Sequence, residues 1–195
     1  MGKIFCLMGK SASGKDTIYS RLLQMPELTL KKVIPYTTRP MRQGEIDGDT
    51  YFFCGEDAVE QLEKEHRIIE LRAYDTVHGI WTYFTADDGQ VDLSEGNYLG
   101  IGTLESYQKL KQYYGEEHVI PVYIEVEDGE RLQRALLRER EQEKPKYEEM
   151  CRRFLADQED FSEKNIREAG IKLRFANENL ELCVENIIKY INSLS

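Results

Sequence analysis

The sequence predicts an α/β protein in which helices cover both faces of a parallel β-sheet, giving three layers. Strand-like and helix-like segments alternate along the 195 residues, which is typical of a parallel sheet. The first apolar segment, residues 4–8, leads into a glycine-rich loop and then into a helical pattern. The chain length and an apolar fraction of 41% predict one domain with a sizeable core.

The first half of the chain predicts core elements followed by a small second sheet. Residues 35–49 are polar and contain two prolines and two glycines, which predicts a loop. Aromatic and β-branched residues at 68–74 and 80–85 predict two strands of a small mixed sheet. The other predicted elements are strands at 4–8, 33–34 and 51–54 and helices at 16–24 and 56–65.

The second half alternates more regularly between strands and helices. HVIPVYIEV, at 118–126, is the strongest strand pattern of the chain. Pro145 interrupts a highly charged helical stretch, because proline cannot continue the hydrogen-bond ladder of a helix. We predict strands at 98–101, 118–126 and 171–175, and helices at 104–114, 130–143, 147–169 and 180–194.

Charge, hydropathy and the metal-binding residue types exclude several classes of function. A net charge of −10 argues against a nucleic-acid binder, because phosphate backbones need a basic surface. No apolar run approaches the ~20 residues of a membrane helix, and the first residues lack a secretory signal, so we expect a cytoplasmic protein with no membrane partner. The three histidines show no zinc-ligand spacing, and the scattered cysteines predict reduced thiols: Cys6, Cys54, Cys151 and Cys183.

A phosphate-binding loop follows the first strand. GKSASGKD matches the first seven places of G-x-x-x-x-G-K-[ST], with an apolar strand before it and a helix after it. The glycines allow backbone N–H groups to converge on phosphate oxygens, and Lys15 can neutralise the β- and γ-phosphates. The predicted ATP-binding residues are Gly9, Lys10, Ser11, Ala12, Ser13, Gly14, Lys15, Asp16 and Thr17.

Asp16 departs from the Ser or Thr that normally follows the lysine of this loop. The usual hydroxyl binds Mg²⁺, and a carboxylate is also a hard oxygen ligand. Either Asp16 takes that role or Thr17, the next residue, supplies the hydroxyl. We therefore expect Mg²⁺ to be bound together with ATP, at Asp16 or Thr17.

A second phosphate site is predicted in the loop that follows. Arg39 and Arg42 lie three residues apart, and Tyr51 follows after nine more residues. Two guanidinium groups and a phenol hydroxyl suit one dianionic phosphate. Arginines are common in loops, so this cluster alone leaves a plain surface role open.

The two sites together resemble the guanylate kinase family. The pattern T-T-R-x-x-R-x-G-E-x-x-G-x-x-Y is present without a gap, and the resemblance extends over nearly the whole chain. It implies a P-loop nucleoside monophosphate kinase with a small mixed-sheet nucleotide-binding insertion and a helical lid. The implied single domain covers 1–195, with a core at 1–34, 91–133 and 154–195, a monophosphate-binding region at 35–90 and a lid at 134–153.

The resemblance implies the reaction ATP + GMP ⇌ ADP + GDP with Mg²⁺. It assigns the acceptor GMP, or dGMP, to Arg39, Arg42, Tyr51, Glu70, Tyr83 and Thr85. Lys15 and the lid residues Arg134, Arg138 and Arg153 would be catalytic, with Arg140 and Arg152 as rivals for the third position. Asn177 resembles the asparagine of the family's Asn-x-x-Leu near the last strand.

Two further departures concern the acceptor base. Pro35 stands where the family usually has a serine that helps to read guanine, and Gly100-Ile101-Gly102 replaces an Asp-x-Asp segment. Glu70 can still accept hydrogen bonds from guanine, and Thr85 can donate to its O6 atom. His78 and Trp81 fall near this region, and we expect them to pack on the small sheet.

Two alternatives to a guanylate kinase stay open. The first is a P-loop kinase for another nucleoside monophosphate or phosphorylated acceptor, which Pro35, Gly100 and Gly102 favour. The second is a non-catalytic module that binds a phosphorylated ligand. Retention of Lys15 argues against the second alternative.

Overall fold

The computed structural model describes residues 1–42, 44–76 and 79–194. The helices are α1 (Lys15–Leu23), α2 (Glu56–Lys64), α3 (Leu104–Tyr114), α4 (Asp128–Arg140), α5 (Tyr147–Asp160), α6 (Glu163–Glu168) and α7 (Leu180–Leu194). The strands are β1 (Ile4–Met8), β2 (Lys31–Lys32), β3 (Tyr36–Thr37), β4 (Phe52–Phe53), β5 (Ile68–Thr76), β6 (Gly79–Ala86), β7 (Tyr98–Ile101), β8 (Val119–Glu125) and β9 (Arg174–Ala176).

The larger sheet is parallel and has the strand order β2-β7-β1-β8-β9. Successive residues of β1 alternate between its two faces and are fully buried, which is expected of a central parallel strand. One face packs on α3 and α6, and the other packs on α1 and α7. The predicted three-layer α/β fold is therefore confirmed.

The second sheet is small and mixed, with the strand order β4-β3-β6-β5. Its largest element is the antiparallel pair of β5 and β6, while β3 runs parallel to β4 and antiparallel to β6. The threonines before the first clamp arginine join this sheet: Thr37 donates to Thr82 O at 2.9 Å, and Thr38 accepts from Thr82 N at 2.9 Å. This anchoring places Arg39 at the end of β3.

Several predicted elements differ from the structure, among them the helix predicted at 130–143, which spans Asp128–Arg140. Strand β2 lies at Lys31–Lys32 rather than 33–34, and β3 interrupts the predicted loop of 35–49. The predicted helix of 147–169 is two helices, because Ser162 caps the start of α6 by accepting from Asn165 N. The last strand, β9, comes three residues later than predicted. His78 lies outside the described residues, and Trp81 is half-buried on β6.

The predicted lid, residues 134–153, spans the end of α4, a short turn and the start of α5. Glu139, near the end of α4, is buried and accepts a hydrogen bond from the backbone N–H of Lys146 at 2.5 Å. That bond closes the turn around Pro145 and fixes how α5 returns toward the phosphate loop. No helix within the described part of the chain is long and apolar enough to cross a membrane.

Candidate active site

The phosphate loop turns sharply between β1 and α1, and its glycines are required by contact as well as by conformation. Gly14 has a φ of +84°, and a Cβ there would lie 2.5 Å from Asn177 Nδ2. A Cβ on Gly9 would lie 2.7 Å from the carbonyl oxygen of Ile124. Ala12 also adopts a positive φ of 61°, which an alanine keeps only where its surroundings impose it.

Three side chains from distant parts of the chain hold the backbone of this loop. Asp157 accepts from Ser11 N at 2.7 Å, and Arg131 donates to Ser11 O at 2.8 Å. Asn177 donates to Ser13 O at 2.8 Å. These three bonds fix the shape of the loop before a ligand binds. Only one of them uses a loop N–H group, that of Ser11. We call these three side chains the loop clamps.

Arg131 is the most deeply buried of the loop clamps, with 1% of its surface exposed. It also pairs with Asp128 at 2.8 Å, and its guanidinium lies 4.7 Å from the centroid of the Phe154 ring. Sequence reasoning missed both Arg131 and Asp157, because their spacing matches an ordinary charged helix surface. The sequence hints at their role in one way: each lies about one helical turn from a predicted lid arginine.

Lys15, the lysine of the loop, lies at the meeting point of several charges. Burial lowers the pKa of Lys15 below its ordinary value, while the nearby Asp16 and Asp157 carboxylates act in the opposite direction. The guanidinium groups of Arg153 and Arg138 also lie close enough to lower this pKa. The start of α1 therefore has one half-buried cation, and Arg138 and Arg153 lie near enough to act on its pKa.

The candidate lid arginines differ in the groups that lie near them or pair with them. Arg138 and Arg153 are both exposed and lie near Lys15, whereas Arg152 is paired with Glu149 at 2.7 Å. Arg134 donates to the carbonyl oxygen of Asn177 at 3.1 Å, beside the phosphate loop. Arg140 is exposed at the end of α4.

Lys10 is part of the loop, and its side chain reaches the helices α4 and α5. Its ammonium group donates to Gln158 at 2.5 Å and to Asp128 at 3.4 Å, so α4 and α5 hold it. A cavity of about 430 Å³ lies on that side. Its acidic lining repels a phosphate group, so the larger cavity does not suit a nucleotide phosphate; the acids are Glu125, Glu127, Asp128, Glu163 and Glu178.

The predicted acceptor clamp consists of Arg39, Arg42, Tyr51 and Tyr83, which lie on or beside strands of the small sheet. Its first arginine, Arg39, forms an ion pair with Glu45. Arg39 is 4% exposed and donates to both carboxylate oxygens of Glu45, at 2.7 and 3.0 Å. Its guanidinium also lies 5.6 Å from the Tyr51 ring centroid and 5.4 Å from that of Phe53. Sequence reasoning included Glu45 in the motif and gave it no role; the structure shows that it orients Arg39.

The other predicted clamp residues are placed around Arg39. Arg42 is exposed, and its backbone N–H donates to Glu45 at 2.6 Å. The rings of Tyr51 and Tyr83 meet edge to face with centroids 5.7 Å apart. Burial raises the pKa of Tyr51, and the nearby charge of Asp16 acts in the same direction. Asp16 thus lies near enough to Lys15 and to Tyr51 to raise the pKa of each.

Glu70 lies on β5 of the small sheet and is nearly fully buried. Its carboxylate accepts three hydrogen bonds. Arg72 donates to it from Nε at 2.8 Å and from Nη2 at 3.2 Å, and Thr85 donates at 2.9 Å. The sequence-based expectation that Thr85 donates to the base differs from this arrangement. A hydroxyl has one proton to donate, and here Thr85 gives it to Glu70.

A small cavity lies beside Glu70, and the departures from the family pattern line it. Pro35 and Gly100 form part of its wall together with Arg72, Thr85 and Ser106. A Cβ on Gly102 would lie 2.3 Å from Ser106 Oγ, so a larger residue there would displace that hydroxyl. Cys6 also lines the cavity, and burial, with a smaller contribution from Glu70, raises its pKa to about 12, so it stays a neutral thiol.

The metal donors available beside the phosphate loop are few and exposed. Asp16 and Thr17 lie in the first turn of α1 and are both exposed. Within the described residues, no group of three or more histidines, cysteines or carboxylates could hold a metal ion by itself. One carboxylate beside a phosphate loop fits Mg²⁺, which binds mainly to nucleotide phosphates and water and takes few ligands from the protein.

Comparison with known proteins agrees with this geometry. A comparison with protein-family models matches residues 1–193 to guanylate kinase. The fold is similar to the crystal structure of guanylate kinase from Anaplasma phagocytophilum, with a TM-score of 0.68 and 20% sequence identity. That match covers 98% of this chain and 85% of the other. Because the family model matches nearly the whole length of the chain, the chain belongs to the guanylate kinase family and is an ATP-dependent nucleoside monophosphate kinase.

Proposed function

We propose that the protein transfers the γ-phosphoryl group of ATP to GMP or dGMP, giving ADP and GDP or dGDP. The observation that supports this proposal is the presence of two preformed basic sites in one chain: the phosphate loop with Lys15, and Arg39 oriented by Glu45. Two basic sites of this kind suit the donor and acceptor phosphates of one transfer reaction.

The donor phosphates would lie on the phosphate loop. Its backbone N–H groups and the N-terminus of α1 favour the triphosphate, and Lys15 adds a cation that burial has already desolvated. The buried hydroxyl of Ser13 has no hydrogen-bond partner within the described residues, and a phosphate oxygen would supply one. Arg138 and Arg153 would reach the transferring group from the lid.

The acceptor phosphate would lie on Arg39, Arg42, Tyr51 and Tyr83. It is itself the nucleophile, so the reaction needs no strong side-chain base. Catalysis is then alignment of the two phosphates together with neutralisation of the charge between them. Lid arginines of this kind contribute about 10³-fold or more to the rate.

Mg²⁺ would supply charge neutralisation between the β- and γ-phosphates, and Asp16 or Thr17 would hold it. We propose that Asp16 replaces the carboxylates that Gly100 and Gly102 lack. Asp16→Ser should then raise the Mg²⁺ concentration for half-maximal activity by about tenfold, since one charged ligand is lost. Asp49→Ser, an exposed loop change, is the control, and an unchanged Mg²⁺ dependence in Asp16→Ser would remove this role.

The test of the function is ADP production from Mg·ATP with GMP, dGMP, AMP, CMP and UMP in parallel. Turnover with GMP and dGMP well above the others is the expected result. Turnover with a different monophosphate would favour the alternative that Pro35, Gly100 and Gly102 suggest. ATP binding without turnover of any of the five would mean that the clamp serves another phosphorylated ligand.

A further inference from the structure

Lys10 joins the phosphate loop to both α4 and α5. Its ammonium group donates to Gln158 Oε1 on α5 at 2.5 Å and to Asp128 Oδ1 at the start of α4 at 3.4 Å. The amide of Gln158 in turn donates to Asp128 Oδ2 at 2.5 Å. The three side chains therefore form a closed circuit of hydrogen bonds, which we call the Lys10 network.

Each member of the Lys10 network has its orientation fixed by the others. Asp128 also accepts from Arg131 at 2.8 and 3.1 Å, so the roughly four lone-pair sites of its carboxylate are all occupied. The amide of Gln158 accepts from an ammonium group on one side and donates to a carboxylate on the other. Removal of the Lys10 ammonium group would take away the donor that holds Gln158 Oε1 against the phosphate loop.

The helix α5 also carries a predicted catalytic arginine. Asp157, next to Gln158, accepts from the loop N–H of Ser11 at 2.7 Å. Arg153 lies one turn before Asp157, and residues four apart share one face of a helix. The contacts that residues 157 and 158 make with the loop therefore set how far Arg153 lies from the phosphates bound there.

A lysine in a phosphate loop can also contact the phosphates directly, and two observations disfavour that role for Lys10. Its side chain is 15% exposed, and two of its three N–H donors are taken by Gln158 and Asp128. A phosphate that claimed the ammonium group would leave the buried acceptor of Gln158 unpaired. The cavity that Lys10 lines beside these helices is rich in carboxylates, which repel a phosphate.

We propose that Lys10 is a positioning residue for phosphoryl transfer: through Gln158 it fixes α5 on the phosphate loop and so places Arg153 at the transferring group. Lys10 then acts on the chemical step and leaves the affinity for ATP unchanged. This inference rests on the proposed function, because it needs a transfer reaction in which Arg153 takes part. It adds a residue of the donor loop that acts through a helix of the lid.

The test compares Lys10→Met with the unchanged protein in two measurements, kcat with GMP and the Kd of Mg·ATP by calorimetry. We expect kcat to fall about tenfold, because a small displacement of a catalytic group is costly, while the Kd stays within about threefold. Lys109→Met, an exposed change on α3, is the control and should leave both values unchanged. A Kd that rises tenfold or more would show that Lys10 holds the phosphates themselves, and would overturn the inference.

The double variant separates an effect through Arg153 from a general loss of activity. Added to Arg153→Met, Lys10→Met should lower kcat by less than about twofold, because the residue on which it acts is already lost. A second loss of about tenfold in the double variant would mean that Lys10 acts independently of Arg153, which contradicts the proposal.

Gln158→Leu tests the same contact from α5 and keeps the inference testable if Lys10→Met is unstable. It removes the acceptor of Lys10 and should lower kcat by a similar factor with the Kd of Mg·ATP unchanged. Full activity of Gln158→Leu would overturn the role of Lys10 alone. If the unchanged protein turns over none of the five monophosphates, the proposed function and the role of Lys10 fail together.

Discussion

The proposed donor and acceptor sites of this protein are held in two different ways. The loop clamps reach the phosphate loop from residues 120 to 164 positions away in the chain. The acceptor arginine, Arg39, is held by Glu45, six residues away in its own loop. The donor site is therefore shaped by packing of the core and lid, whereas the acceptor site is a local ion pair that must admit a phosphate.

This difference predicts how each site responds to its ligand. The loop backbone is in place before ATP binds, so little ordering cost remains for the donor. At the acceptor site, the guanidinium of Arg39 must share its donors between Glu45 and the incoming phosphate. We expect changes at the donor site to act on rate and stability, and changes at the acceptor site to act on KM.

The largest effect should come from Lys15→Met. This change removes the buried cation at the donor phosphates, and we expect kcat to fall by about 10³-fold or more. A coupled assay of ADP production measures it, with Lys64→Met on the exposed face of α2 as the control. Full activity of Lys15→Met would show that the transferring phosphate lies elsewhere.

Arg131→Met should break the donor site through its packing. The change leaves the loop carbonyl and two aspartates without their buried partner, which costs about 3 kcal/mol. For a chain of this size the Tm should fall by roughly 6–12 °C. Thermal unfolding measures this, with Arg140→Met as the exposed control; equal Tm values for the two variants would contradict the clamp role.

Glu45→Gln should affect the acceptor site alone. The amide keeps the shape of the side chain but loses the charged pair that orients Arg39, so we expect the KM for GMP to rise about tenfold with the KM for ATP unchanged. Steady-state kinetics with each substrate varied in turn measure both values. Glu60→Gln on α2 is the control. A lower KM for GMP would mean that Glu45 competes with the phosphate.

The smallest effect concerns pH. Burial lowers the pKa of Lys15, so the lysine loses its charge at a lower pH than an exposed lysine, and ATP binding weakens as the pH rises through that value. The alkaline limb of kcat/KM for ATP, which reports the free enzyme, should therefore lie below the ordinary lysine pKa of about 10.4. Tyr51 does not cause this limb, because burial raises its pKa.

Lys15→Arg is the matched control for the pH profile. Arginine keeps its charge throughout this range, so any activity left in the variant should show no alkaline limb. A limb at the same pH in both proteins would assign the titration to another group. ATP binding measured by calorimetry across the same pH range gives an independent reading.

Local sequence patterns predicted some elements well and others poorly. The fully apolar strand β1 and the helix α3 were predicted with correct bounds. The two-residue strands β2 and β3 were misplaced or missed, because such short segments carry no periodic pattern and exist through their partners. The break between α5 and α6 was missed because Ser162 also fits a helix interior.

The predictions for the candidate site divide in the same way, into those that local spacing supports and those that depend on packing. Spacing predicted roles for Lys15 and for the arginine clamp, since each motif lies within one short stretch of the chain. Spacing left Arg140, Arg152 and Arg153 as rivals, and the structure brings Arg153 near Lys15 while Arg152 pairs with Glu149. Neighbouring helical residues face about 100° apart, so their roles depend on how α5 packs.

The sequence alone determined the three-layer fold, the phosphate loop and the acceptor motif. These features depend on backbone conformations that a few glycines, prolines and apolar runs specify locally. The tertiary structure alone decided that Arg131 and Asp157 hold the loop and that Arg72 engages Glu70. Such contacts join side chains whose approach depends on packing between separate elements, and residue spacing along one chain carries no record of that approach.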